Sequence, residues 1–223
     1  NRKRLVRNLS HEIKSPIAVI MGYSDRMKAV ISKNPEKAVE YSDIISDESA
    51  RVDILVKEML ELSKLEQGEQ EPAIEKVETE RLFADLKQRF KDEHMGTSII
   101  YEDNYDNKDA VYLDYILAER AVYNLIRNAA TYVTGEPPRI QVDGRRNGEY
   151  YEISVFNSGS MIPENEYRSI WEPFSKVDKA RSRSKKGFGV GLSIVREIVE
   201  QHNGYYSVEN KEDGVEFVIS FKG

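Results

Sequence analysis

Residues 38–62, AVEYSDIISDESARVDILVKEMLEL, carry Ala38, Tyr41, Ile45, Glu48, Val52, Leu55, Met59 and Leu62 at alternating spacings of three and four. That repeat keeps one stripe on one face of an α-helix, an a/d-like seam with a single polar interruption at Glu48. Toward the N-terminus, Leu5, Leu9, Ile13, Ile17, Ile20, Met27 and Ile31 recur at spacings close to three, four and seven. Lys33-Asn34-Pro35 separates the two patterns, so the pair reads as a helical hairpin. Two helices of about 30 residues cannot bury both stripes against each other alone. Pairing two hairpins into a four-helix bundle solves this, and a homodimer is expected. Packing of the hairpin on the rest of the chain is the alternative.

Charge marks the next division. Residues 1–67 hold 12 basic and 11 acidic side chains, whereas residues 68–223 hold 21 and 28. The polar run Glu66-Gln67-Gly68-Glu69-Gln70-Glu71-Pro72 lies at the seam, giving two expected domains, 1–67 and 68–223. Beyond the seam, strand-like runs occupy Thr97–Glu102, Arg139–Asp143, Tyr150–Phe156, Tyr205–Glu209 and Val215–Phe221. Helical patterns occupy Glu78–Phe90, Asp114–Val133 and Gly189–His202. Such runs suggest an α+β layer, a mixed sheet covered on one face by helices.

Composition excludes several classes. Among 223 residues, 39% are hydrophobic and 32% charged, with a net charge of −6. That is too apolar for disorder and too acidic for a general nucleic-acid binder. Without cysteine there is no disulfide framework, thiol nucleophile or thiolate metal site. No apolar run approaches the roughly 18 residues of a membrane span. The chain starts inside a helical pattern with Arg2, Lys3, Arg4 and Arg7, so an excised fragment is expected, its basic start close to a membrane.

Five stretches carry chemistry. In Ser10-His11-Glu12-Ile13-Lys14-Ser15-Pro16, a neutral imidazole is a good nucleophile and the adjacent carboxylate can orient it or take its proton. Pro16 removes a helical hydrogen bond, so a bend is expected one turn after His11. A surface histidine on an amphipathic helix is the alternative. Asn124 and Asn128 are four apart on a helix, which aligns two amides able to ligate Mg²⁺ or donate hydrogen bonds. Asn157-Ser158-Gly159 follows a strand, where a short polar side chain can meet a base edge; an ordinary turn fits as well. Gly187-Phe188-Gly189-Val190-Gly191-Leu192 precedes a helix, which suits close backbone approach to phosphate, although a tight turn has the same composition. Between Lys176 and Lys186 lie six basic residues and one acid, a mobile loop or a lid over polyphosphate.

Taken in order, these segments resemble the cytoplasmic core of a bacterial two-component sensor histidine kinase over essentially the whole chain. Ser10 to Pro16 looks like the H box, Asn124 to Ala129 the N box, and Asn157 to Ile162 the G1 box. Trp171-Glu172-Pro173-Phe174 resembles the F box, and Gly187 to Leu192 the G2 box. The resemblance implies a dimerisation and histidine-phosphotransfer hairpin followed by a Bergerat-type (GHKL) α/β-sandwich ATP-binding domain.

By that resemblance His11 takes the γ-phosphoryl of ATP, with Glu12 as base, and passes it to an aspartate of a response regulator. Ser15 stands where the family often has a threonine tied to regulator dephosphorylation. Asn128 would hold Mg²⁺, Asn124 the phosphate and metal shell, and Arg127 would add charge for the phosphates. Tyr132 would lie against the nucleotide, and Asn157, beside Gly159, would read the adenine amine. Ile162 and Leu192 would line the apolar pocket, while the Gly187, Gly189, Val190 and Gly191 backbone and Lys176 would meet the phosphates. The chain departs from the family pattern at Asn157 (usually Asp), Met161 (usually Gly) and Thr131 (usually basic). Those departures motivate a rival, a degenerate nucleotide-binding scaffold without kinase activity. A gyrase- or chaperone-type ATPase would need a catalytic glutamate where this chain has Asn124.

Overall fold

A computed structural model describes residues 2–68, 71–159, 161–175, 177 and 187–222, with side chains from Arg7 onward. The chain divides into two compact units, Asn1–Glu61 and Leu62–Gly223.

In the first unit, helix α1 (Arg2–Val30) and helix α2 (Pro35–Gln67) are joined by a short turn. Asn34 ends the first helix and starts the second. Its backbone N–H donates to Val30 O at 2.7 Å, and its side-chain oxygen accepts from Lys37 N at 3.1 Å. Pro35 follows at the first helical position, where its missing N–H costs nothing. The α2 stripe is inward: Ala38, Leu55 and Met59 are buried, and Tyr41, Ile45, Glu48 and Val52 are half-buried. Tyr41 meets Tyr23 of α1 edge to face at 5.2 Å. Of the α1 stripe, Leu5 lies outside the described side chains, Leu9, Ile13, Ile20 and Met27 are half-buried, and Ile17 is exposed. Met21, Val39, Ile54 and Leu60 are further exposed apolar side chains of the hairpin. Helix α1 continues without interruption through a buried Pro16.

Helix α2 runs through the division between the units, and its last turn belongs to the second. There Leu62 is fully buried and Leu65 O accepts from Gln201 Nε2 at 2.9 Å. The second unit contains β1 (Glu75–Glu78), α3 (Thr79–Glu93), β2 (Ile100–Asn104), β3 (Ala110–Leu113) and α4 (Tyr115–Tyr132). Then come β4 (Arg139–Asn147), β5 (Tyr150–Ser158), two short 3-10 turns, α5 (Gly191–Gln201), β6 (Tyr206–Lys211) and β7 (Gly214–Lys222). Five strands form a mixed sheet in the order β2-β4-β5-β7-β6, in which only β2 and β4 are parallel.

Alternation decides the sheet's buried face. Tyr151, Ile153 and Val155 on β5 and Phe217, Ile219 and Phe221 on β7 are buried. The apolar stripes of the helices are buried too: Leu82, Phe83 and Leu86 on α3, Val122, Leu125 and Ile126 on α4, and Ile194, Val195 and Ile198 on α5. This is the α+β layer that the periodicities indicate.

Several elements differ from their sequence-based bounds, β4 for example running on to Asn147 and β6 to Lys211. The run assigned to Thr97–Glu102 forms a strand only from Ile100, and it extends to Asn104 because it pairs in register with β4 from Arg139. The last helix starts at Gly191 rather than Gly189, because Gly189 has φ +73°, outside the helical region. Strands β1 and β3 lie outside the strand-like runs that the periodicity marks. They pair only with each other, as a separate two-stranded antiparallel sheet.

Candidate active site

In the first unit, His11 and Ser15 lie one helical turn apart on α1 and are both exposed, while Glu12 is half-buried. The i, i+4 spacing stacks the imidazole and the hydroxyl on one face. Proline at position 16 has no N–H to offer the Glu12 carbonyl, so the turn that carries His11 lacks one helical bond.

The nucleotide-side candidates lie in the second unit. Helix α4 starts at Asp114, whose Oδ1 accepts from Leu117 N at 3.0 Å and whose Oδ2 accepts from Ala73 N at 2.9 Å. Its backbone N–H donates to Nε2 of His202, at the end of α5, at 3.0 Å. Nδ1 of His202 lies 2.7 Å from Ile198 O, so that nitrogen carries the proton and Nε2 accepts. Burial holds this imidazole below its ordinary pKa, against the opposing pull of the Ile198 carbonyl and Asp114. His202 thereby fixes where α4 begins relative to where α5 ends.

Along α4 the buried stripe Val122, Leu125, Ile126 and Ala129 turns Asn124 and Asn128 to the same half-buried edge. Arg127 Nη2 donates to Asn124 Oδ1 at 3.1 Å, and Thr131 Oγ1 donates to Arg127 O at 2.8 Å. Gly191 comes against this pair: a Cβ there would stand 3.6 Å from Asn124 Oδ1 and 3.7 Å from Arg127 Nη2. The N-terminus of α5 therefore opens beside Asn124 and Arg127, where helix N–H groups and a guanidinium favour an anion. Val190 is buried at this helix start, its carbonyl accepting from Ser193 Oγ at 2.7 Å, and Leu192 is half-buried.

Gly189 needs its left-handed conformation. Its carbonyl accepts from Phe174 N at 2.7 Å, and a Cβ would come within 2.6 Å of Ser175 O. The Trp171–Phe174 segment is thus bonded to the glycine loop. Trp171 anchors it against Tyr206 (ring centroids 4.7 Å) and Phe217 (5.8 Å), and Arg196 of α5 reaches Glu172 Oε1 at 3.3 Å. Gly187 is exposed. Lys176 and the basic residues from Lys179 to Lys186 lie outside the described residues.

On the other side, Asn157 near the end of β5 is 2% exposed, and its Nδ2 donates to Ser158 O at 3.2 Å. Its Oδ1 remains the acceptor that could meet an exocyclic amine. Gly159 (φ +132°) approaches the end of α4 so closely that a Cβ would stand 3.3 Å from Tyr132 O and 2.5 Å from Thr134 Oγ1. Tyr132 is partly exposed, and burial of its hydroxyl raises its pKa. Ile162 is half-buried and Met161 exposed.

The second unit therefore brings Asn124, Arg127 and Gly191 together, Gly189 against Phe174, and Gly159 against Tyr132. Residues outside the sequence-derived set complete this framework. Asn210 of β6 makes two bonds to Ile162, Asp213 O accepts from Gly159 N at 2.9 Å, and Arg196 ties the Trp171 turn to α5. Local patterning carried no sign of these long-range partners.

A helical unit presenting an exposed histidine is thus joined in one chain to a sheet-and-helix unit whose α5 N-terminus is suited to an anion. Comparison with known proteins gives the family. Residues 1–68 match the His Kinase A (phospho-acceptor) domain, and residues 113–223 match the histidine kinase-, DNA gyrase B- and HSP90-like ATPase domain. The sensor-like histidine kinase SenX3 of Mycolicibacterium smegmatis is 29% identical over 91% of this chain and 52% of its own length. The sensor protein SrrB of Staphylococcus aureus is 29% identical over 98% of this chain and 37% of its own. The chain thus spans about half or less of the length of these relatives.

Among solved structures, histidine kinase ThkA in complex with response regulator protein TrrA superposes with a TM-score of 0.79 at 30% identity, covering 99% of this chain and 61% of that one. Acinetobacter baumannii histidine kinase AdeS shares the fold, with a TM-score of 0.76 at 18% identity over 95% of this chain and 97% of its own. The chain belongs to the sensor histidine kinases, and its second unit is an ATP-binding domain of the GHKL type.

Proposed function

We propose that this chain is the catalytic core of a two-component kinase that transfers the γ-phosphoryl of ATP to His11 and then to an aspartate of a response-regulator receiver domain. The observation that carries the reading is the meeting of Asn124, Arg127 and Gly191 at the N-terminus of α5, inside an ATPase-type domain. That ThkA forms a complex with response regulator TrrA supports the second acceptor.

In the first step an imidazole nitrogen of His11 attacks the γ-phosphorus. A P–N bond forms as the bond to the bridging oxygen breaks, and ADP leaves with that electron pair. Glu12, adjacent in sequence, accepts the imidazole proton. Asn157 Oδ1 accepts from the adenine amine between Gly159 and Ile162, Tyr132 and Leu192 cover the base, and Arg127 with the Gly187, Gly189, Val190 and Gly191 backbone meets the phosphates. Ser15, one turn after His11, is placed to orient a water when the regulator is dephosphorylated. Lys176 belongs to the same set by resemblance to the family.

Mg²⁺ fits the residues present. No group of three or more His, Cys, Asp or Glu suited to a metal occurs among the described residues. Magnesium keeps several waters and takes substrate phosphates with one or two protein oxygens, a role that the amide oxygen of Asn128 can fill. Bound there, it would neutralise charge on the β- and γ-phosphates.

The same reading gives a two-domain organisation, a phosphotransfer hairpin over 1–67 and an ATP-binding domain over 68–223. Exposed Met21, Val39, Ile54 and Leu60 support burial of the hairpin's remaining apolar surface in a homodimer. No helix among the described residues is long and apolar enough to cross a membrane. We place this core on the cytoplasmic side of a sensor protein, a reading supported by its similarity to sensor kinases SenX3 and SrrB.

Incubation with γ-labelled ATP and Mg²⁺ tests the proposal. The expected product carries an acid-labile, base-stable label that moves to a receiver domain on mixing. Measurable ATP affinity with no phosphoprotein over hours would contradict it.

A further inference from the structure

Strand β5 ends at Ser158, and after an isolated bridge from Gly159 to Val133 no strand ladder includes Ile162 among the described residues. Asn210, on edge strand β6, replaces one. Its Oδ1 accepts from Ile162 N at 2.9 Å, and its Nδ2 donates to Ile162 O at 2.8 Å. A carboxamide is suited to this because it offers one acceptor and one donor in a plane, the complement of a residue's own N–H and C=O. Asn210 is itself held: its backbone N–H donates to the Tyr167 hydroxyl at 3.1 Å, at the end of the first 3-10 turn. A second tie from the same hairpin joins Gly159 N to Asp213 O at 2.9 Å. The β6–β7 hairpin thus holds the loop after Asn157 at both Gly159 and Ile162.

We propose that Asn210 is a positioning residue for nucleotide binding, its side-chain amide fixing the Ile162 backbone so that Ile162 is held in place beside Asn157 and Gly159 for the base. The inference rests on the reading of that loop as the base side of the ATP site. It concerns binding rather than the chemical step, because Asn210 bonds the loop and not the residues assigned to the phosphates. A residue that must be ordered on binding costs affinity, whereas one already held in place does not.

The test uses the whole chain with ATP and Mg²⁺ as the probe, measuring the dissociation constant by calorimetry and the autophosphorylation rate at saturating ATP. Asn210→Ala is expected to weaken ATP binding about tenfold while leaving the saturated rate within about twofold. Asn210→Ser, whose hydroxyl can make one of the two bonds, should fall between. Tyr167→Phe, which leaves Asn210 in place but removes its backbone partner, should weaken binding by about two- to threefold, and it decides the matter if Asn210→Ala does not fold. Unchanged affinity in the folded variants would overturn the inference while leaving the nucleotide site intact, as would a lost saturated rate at unchanged affinity. A wild-type chain that fails to bind ATP would instead overturn the assignment of the site itself.

Discussion

Arg127 and Asn124, one turn apart on α4, are joined by a hydrogen bond of 3.1 Å from the guanidinium Nη2 to the amide Oδ1. The bond settles which way the Asn124 amide faces and keeps a positive charge beside the start of α5, close to Gly191. Removing it frees the amide and takes away charge that phosphate would meet. Arg127→Ala is therefore expected to weaken ATP binding about five- to tenfold. Arg127→Lys keeps the charge without the planar fork, so it should recover only part of the loss. Equilibrium binding of ATP with Mg²⁺ measures both.

Gly189 combines φ +73° with a backbone oxygen, that of Ser175, 2.6 Å from where a Cβ would stand. Alanine there must strain the backbone and displace the Phe174–Ser175 segment. Gly189→Ala should cost about 1–3 kcal/mol of stability in the second unit and weaken ATP binding in parallel. Gly187→Ala, where a Cβ meets nothing within 4 Å, serves as the control and should be nearly silent in thermal unfolding.

His202 makes stability pH-dependent in a defined direction. Burial lowers its pKa below the ordinary 6.5, and its Nε2 must stay unprotonated to accept from Asp114 N–H. The unfolded chain therefore binds the proton more readily than the folded one. The stabilisation is full above about pH 6.5 and is lost as the pH falls through the lowered value. Asp114, the nearby carboxylate, opposes this shift without cancelling it. Denaturant midpoints measured from pH 5 to pH 8 should rise across that window. His202→Ala should lower stability by about 2 kcal/mol at pH 8 and flatten the rise.

The hairpin was legible because a long helix burying one face writes its period into many residues. Leu55, Met59 and Leu62 fall where the spacing puts them, and Asn34-Pro35 is a helix start recognisable from chemistry alone. Asn124 and Asn128 were legible as a pair for the same reason. Strand β1 was not, because four residues with one apolar side chain, Glu75–Glu78, hold no period to detect, and β3, Ala110–Leu113, is an unbroken apolar run too short to show a period. Asn210 and His202 act across 48 and 88 residues of chain, so only folding brings their partners to them. Their bonds are made largely with backbone atoms, which every residue has, and so leave no mark in the partner's sequence.

His11 as the phosphoryl acceptor is open to direct measurement. Peptide mapping of the chain after incubation with ATP and Mg²⁺, handled at neutral to basic pH, locates the phosphoryl group directly. Phosphohistidine is expected on the peptide containing His11, with no phosphoprotein in His11→Gln and ATP affinity unchanged in that variant. Phosphate on another residue, or label persisting in His11→Gln, would contradict the assignment of His11.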